Sequence, residues 1–266
     1  MSEMLEAQTN FSRLCENPYP GRGFVIGVSE DDGYAVQVYW IMGRRKDSRN
    51  RVFSVDEGRV YTEVADMSKL LDDEEKMLSE TEQADLIAKK LENIIYNAMD
   101  EDLENDRYVV SNGIQTDDVL GRMGQVDDGF LLSLEDYEYE SDGPNYTSRI
   151  TALCDIERKN GEDPWVEITV LRRGLWGEGC ERKLYQYEEI APGFGYSVTT
   201  YSGDGSPLPS FRGDPLLMPI KGTIEEVAEG YWAVLNDTNR VSLAVKFIDL
   251  ETGVSRVEIR NKYMKK

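Results

Sequence analysis

Three stretches of this sequence gather residue types that could do chemistry. Arg44–Arg51, reading RRKDSRNR, holds five cations and one acid, a formal +4 within a chain of net charge −21. Such a run can hold a phosphate, because each charge-assisted hydrogen bond is worth about 1.5–3 kcal/mol and a guanidinium can grip two oxygens at once. It can equally be a solvated basic loop that balances acidic neighbours. The stretch VVSNGIQTDD turns at Asn112-Gly113, and Thr116 or Asp117 can open a short helix. Helix-start amides and an Asn side chain can orient a polar substrate or stabilise an oxyanion; the plainer reading is a turn with an N-cap. In DYEYESDGPNYTSRI, Asp136, Glu138, Tyr146 and Arg149 stand near a strand entrance. Paired carboxylates can move protons when their surroundings separate their pKa values, although acidic loops are common in so acidic a chain.

Composition narrows the chemistry. The chain has no histidine, which removes Ser-His-Asp and Cys-His nucleophiles, His-bearing zinc sites and the commonest acid–base residue. Catalysis must then rest on Tyr, Lys, Arg, Asn, carboxylates or backbone amides. Cys15, Cys154 and Cys180 form no close pair, which argues against a disulfide framework or a four-Cys zinc site; no metal is expected. The charge of −21 argues against a nucleic-acid surface, since phosphate contacts need Lys and Arg in excess. No apolar run approaches the roughly 20 residues that span a bilayer, and the first residues lack the basic flank and apolar centre of a secretory signal. A soluble, cytoplasmic protein without membrane partners is expected.

The elements that must position these residues are mostly strands. Gly23–Val28 and Tyr34–Ile41 read as a hairpin, and Arg59–Val64 as a third strand. The acidic stretch Leu71–Glu82 reads as a solvated connection. Ser79 and Glu82 form a capping box that opens a helix to about Met99, with Ile87, Leu91, Ile94, Ile95 and Ala98 on its buried face. Further strands are expected at Tyr108–Ser111, Thr147–Ile156, Trp165–Leu171, Leu184–Ile190 and Gly195–Tyr201. Thr223 and Glu226 cap another helix, and Val241–Asp249 with Val254–Ile259 close a hairpin. Ser202–Pro219 reads as a long loop, of a kind that is often functional. Without βαβ alternation, the pattern predicts an α+β fold with antiparallel sheets covered by helices.

Taken in order, these segments resemble the archaeal-type inosine monophosphate cyclohydrolase family. The likeness runs from YPGRGFVIG (Tyr19 to Gly27) through Tyr39 and the Arg-Arg stretch into SRNRVF. It continues through VVSNGIQTD, the DYE segment with its T-x-R-I strand, Gly193–Tyr201 and the helix after IKGTIEEVAE. No single motif is specific, but their collinear order is. The resemblance implies a single domain over 19–266 after an N-terminal extension over 1–18. It also implies a four-layer αββα sandwich like that of the N-terminal-nucleophile hydrolases. No Cys, Ser or Thr is placed to be freed at the head of the first strand, and Cys15 reads as structural, so self-processing is not expected. Where the family's turn reads Ser-His-Thr-Asp, this chain has Ile114-Gln115-Thr116-Asp117, so no histidine role carries over.

The activity so implied closes the purine ring of 5-formamidoimidazole-4-carboxamide ribotide to give inosine monophosphate and water. It needs no cofactor. The partner is a purine ribotide, and a homo-oligomer is expected. Arg22, Arg44, Arg45, Arg49, Asn50, Arg51 and Asp117 are the expected substrate-binding residues. Tyr39, Asn112, Glu138, Tyr146 and Arg149 are the expected catalytic ones, with Arg149 as oxyanion stabiliser or partner of Glu138. Alternatives are a related enzyme acting on another ribotide or amide, and a non-catalytic nucleotide-binding relative.

Overall fold

The computed structural model describes residues 2–92, 94–123, 129–159, 161 and 163–265. One antiparallel sheet comprises β1 (Gly23–Val28), β2 (Tyr34–Met42), β10 (Phe194–Thr199), β11 (Leu216–Pro219), β12 (Arg240–Asp249) and β13 (Ser255–Asn261), in the order β11-β10-β1-β2-β12-β13. A second comprises β3 (Arg51–Asp56), β4 (Arg59–Val64), β5 (Asn97–Asp102), β6 (Arg107–Ser111), β7 (Arg149–Asp155), β8 (Val166–Arg173) and β9 (Cys180–Tyr187), in chain order. The described α-helices are α1 (Glu3–Glu16), α2 (Lys46–Arg49), α3 (Glu80–Glu92), α4 (Gln115–Met123) and α5 (Ile224–Val234). The fold is α+β, as the strand-rich pattern predicts.

Alternation along the strands explains the layering. Phe24 and Ile26 of β1 and Tyr39 and Ile41 of β2 face the second sheet, meeting Met99, Tyr108, Val110 and Ile150 in a shared core. The intervening Val25, Val38 and Trp40 face outward against Leu14 of α1 and Ile224, Val227 and Tyr231 of α5. On the far side, Val109 and Leu153 pack against Val119 and Met123 of α4. The order is helix, sheet, sheet, helix. Each fully buried large aliphatic or aromatic side chain contributes about 1.5–3 kcal/mol. None of the described helices is long and apolar enough to cross a membrane.

Several expectations are corrected. The helix opened by the Ser79–Glu82 capping box ends at Glu92 and does not reach Met99. Ala98 and Met99 lie instead on β5, where Met99 pairs with Val60 and Val110 and enters the inter-sheet core. Both are good helix formers, so cross-strand pairing and burial override local propensity here. The edge strand β9 runs over Cys180–Tyr187 rather than Leu184–Ile190, and the segment read as loop over Ser202–Pro219 contains β11. Within the N-terminal segment, residues 3–16 form α1, whose Phe11 ring meets Tyr231 of α5 edge-on at 5.2 Å.

Candidate active site

The strand registers carry several loop ends to one end of the sandwich. Gly23 pairs with both Trp40 and Thr199, so the start of β1 lies beside the ends of β2 and β10. In the other sheet Ser111 pairs with Thr151, which sets the end of β6 beside the start of β7. A cleft of about 750 Å³ opens there. Its lining draws on the arginine-rich run, the Asn112-Gly113 turn and the entrance to β7. Seven cationic and three acidic residues border it, a local excess of positive charge in an acidic chain.

At one side, guanidinium groups gather around Tyr19. Burial raises the pKa of its phenol, while Arg51, Arg22, Arg44 and Arg45 all pull it back down. Four positive charges therefore lie within electrostatic reach of one ring. The Arg44 guanidinium stands 4.9 Å from the centre of that ring and pairs with Asp204, which ties the 202–219 segment to the cleft. Arg51 is buried and donates to the Ser48 carbonyl at 3.0 Å and the Met42 carbonyl at 3.3 Å. From α3, Lys89 and Lys90 also reach the lining, and Lys90 pairs with Glu75 at 2.5 Å.

At the inner side, Arg22 donates to the Asn112 carbonyl at 2.7 Å and to Glu140 at 2.8 Å. The other Glu140 oxygen lies 4.0 Å from Arg149. Burial would lower the pKa of Arg22, but Glu140 and neighbouring phenols outweigh it and raise the value well above the ordinary one. Arg149 shifts the other way: burial lowers its pKa, Glu140 opposes this only partly, and Arg22 lowers it further. A Cβ at Gly113 would lie 2.7 Å from Arg149 Nη1, so a larger residue there would displace that guanidinium. Gly21 has φ +75° and no room for a side chain against Tyr201, itself part of the wall.

Of the expected site residues, Arg22, Arg44, Arg45, Arg51, Asn112 and Arg149 line this cleft. The others stand outside its lining, each for a visible reason. Tyr39 is fully buried behind the wall, its hydroxyl 2.8 Å from that of Tyr96. Arg49 turns away to the Gly43 carbonyl at 2.9 Å and Asn239 at 3.3 Å. Asn50 Nδ2 donates to the Asp66 carbonyl at 2.8 Å, and its Oδ1 accepts from the Asp66 amide at 2.9 Å. Asp117 accepts from Asn97 at 2.7 Å on the exposed face of α4. Glu138 is exposed, and Tyr146 packs against Tyr139 and beneath Arg173. Asn112 itself is engaged in holding the turn to β7: Nδ2 donates to Ser148 O at 2.8 Å, and Oδ1 accepts from Ile150 N at 2.9 Å.

The sequence reading missed Tyr19, Tyr96, Glu140, Asp142 and Thr147, all in the lining. For Glu140 a signal existed. Gly143-Pro144 marks a turn, the Glu140 amide donates to the Thr147 carbonyl at 2.8 Å, and Asp142 receives both the amide and hydroxyl of Thr147. Reading outward from that turn sets Glu140 across from the start of β7. Tyr96 lay hidden in a stretch read as helix.

Among the described residues, no three Cys, Asp or Glu stand together as a metal site. A second hollow of about 490 Å³ lies at the opposite end of β1, lined by Glu30, Asp31, Glu225 and Glu226 beside Arg256. Its acidic wall is unsuited to an anion. The 750 Å³ cleft is therefore the hollow in which guanidinium groups gather, with Arg22, Arg51 and Arg149 among its lining residues. The chain belongs to the IMP cyclohydrolase-like protein family, whose model matches residues 19–253. No curated protein sequence matches the chain significantly.

Proposed function

We propose that the protein closes the purine ring of 5-formamidoimidazole-4-carboxamide ribotide, giving inosine monophosphate and water. One observation carries the reading: the arginine-rich run, the Asn112-Gly113 turn and the acidic entrance to β7 share one cleft. Family membership adds to it. The volume suits a nucleotide-sized ligand, for which pockets of about 300–1,000 Å³ are usual. In this reading the phosphate meets Arg44, Arg45 and Arg51 around Tyr19, and the base reaches toward Arg22, Glu140 and Arg149.

The carboxamide nitrogen attacks the formyl carbon of the same molecule. A C–N bond forms, the carbonyl electron pair moves onto the formyl oxygen, and the nitrogen gives up one proton, which ends on that oxygen. The resulting hydroxyl then leaves as water with the proton of the formamido nitrogen, completing the ring C=N bond. The reacting groups are already tethered, so orientation supplies much of the rate. Arg149 stabilises the oxyanion, and Glu140 carries the proton from nitrogen to oxygen. Tyr96, braced by Tyr39, offers a hydroxyl to the leaving oxygen. Groups in such roles contribute about 10²–10⁴ in rate each.

The layer order further supports kinship with the N-terminal-nucleophile hydrolase sandwich, with Arg22 rather than a nucleophile ahead of β1. Incubation with the formylated ribotide, followed by the ultraviolet change on ring closure, tests the function. Absorbance that changes no faster than the spontaneous reaction would sink it.

A further inference from the structure

Gln115 is completely buried and is absent from the cleft lining, yet it holds a residue that is part of that lining. Its Oε1 accepts from Arg149 Nη1 at 3.0 Å, and its Nε2 donates to Asn112 Oδ1 at 3.1 Å. These two bonds fix which end of the amide faces the guanidinium, since a flipped amide would set donor against donor. We infer that Gln115 is a positioning residue that aims the Arg149 guanidinium at the developing oxyanion while leaving its charge uncancelled. The inference rests on the ring-closing function proposed above.

Three features support it. Arg149 is held by a neutral acceptor at 3.0 Å, whereas the nearest Glu140 oxygen is 4.0 Å away; Arg22 takes that carboxylate at 2.8 Å. Arg149 Nε is buried without a hydrogen-bond partner, so this cation is under-compensated in the free protein. A buried group of that kind gains most from a charge that appears during reaction. Finally, the Arg149–Gln115 bond passes over Gly113, where a Cβ would lie 2.7 Å from both Arg149 Nη1 and Gln115 Oε1. A side chain at Gly113 would therefore push the two partners of this contact apart. A glutamate in place of Gln115 would cancel the charge, and its second oxygen would meet Asn112 Oδ1 acceptor to acceptor.

The test is steady-state kinetics on the formylated ribotide for the wild type, Gln115→Met, Gln115→Glu, Arg149→Lys and the Gln115→Met/Arg149→Lys double variant, with thermal melting of each. Gln115→Met and Gln115→Glu are expected to lower kcat about tenfold or more while KM stays within about twofold. In the Arg149→Lys background, Gln115→Met should cost far less than it does alone, because the two act as one unit. Should Gln115→Met misfold, the isosteric Gln115→Glu carries the same expectation. Losses that multiply independently, or a rise in KM with kcat kept, or no change in either, overturn the inference. A wild type without turnover fails the proposed function and this inference with it; an active wild type with unaffected Gln115 variants fails the inference alone.

Discussion

The hydroxyl of Tyr39 lies 2.8 Å from the hydroxyl of Tyr96, and only Tyr96 faces the cleft. Burial and the neighbouring phenol of Tyr96 push the pKa of Tyr39 well above that of an ordinary tyrosine, so it stays neutral and acts as a brace. Tyr96→Phe is expected to lower kcat about 10²-fold, and Tyr39→Phe by clearly less. Equal losses in kinetic assays would place the two phenols in the same role.

Arg51 and Arg49 sit two residues apart with opposite outlooks, one on the cleft and one bonded to Gly43 and Asn239. Arg51→Ala should weaken inosine monophosphate binding roughly 10- to 150-fold, the equivalent of one lost charge-assisted hydrogen bond. Arg49→Ala should leave it within about twofold. Titration calorimetry of both variants decides the matter.

Glu140 bridges Arg22 and Arg149, whereas Glu138 is exposed. Glu140→Gln keeps the shape but leaves the Arg22 guanidinium without its paired counter-charge and Arg149 without the more distant one. Its kcat is expected to fall about 10²-fold or more, with a loss of stability of about 3 kcal/mol. Glu138→Gln should match the wild type in both respects. A Glu140→Gln protein of normal turnover would remove the carboxylate from the chemistry.

The pH dependence of stability has a definite sign. Burial pushes the phenol of Tyr201 up to about 12, with its hydrogen bond to Thr147 partly opposing it. Tyr19, Tyr39 and Tyr231 are raised too, each chiefly by burial. In the unfolded chain these phenols ionise near 10. The unfolded state therefore releases protons first, and the stability contributed below pH 10 is lost as pH rises toward 12. Urea midpoints should fall steadily across that interval, while tyrosinate absorbance in the folded protein lags behind that in urea. Constant midpoints would contradict the burial of these rings.

Much of this architecture was legible in the chain itself. Phe24, Ile26 and Tyr39 alternate on core-facing positions, and Thr223 with Glu226 forms the capping box of α5 at 2.8 and 3.3 Å. Those signals are local, so sequence carries them. Met99 could not be read this way, because its strand identity comes from Val60 and Val110, which are distant in sequence. The same holds within the site. Arg44 and Arg51 announce themselves by charge density, but Glu140 matters because Arg22 reaches it across 118 positions of chain. The neutral Gln115 carries no compositional flag at all, and only its hydrogen bonds to Arg149, Asn112 and Thr151 mark it.

Because the cleft wall is assembled from segments as far apart as Tyr19 and Leu208, no nascent fragment short of most of the chain can form it. Ligand capture therefore reports completed folding rather than local order. A compound that fits there stabilises only the finished protein, by about 2.7 kcal/mol at a hundred times its dissociation constant. Thermal-shift screening with phosphorylated heterocycles would thus reveal the occupant even where turnover is slow.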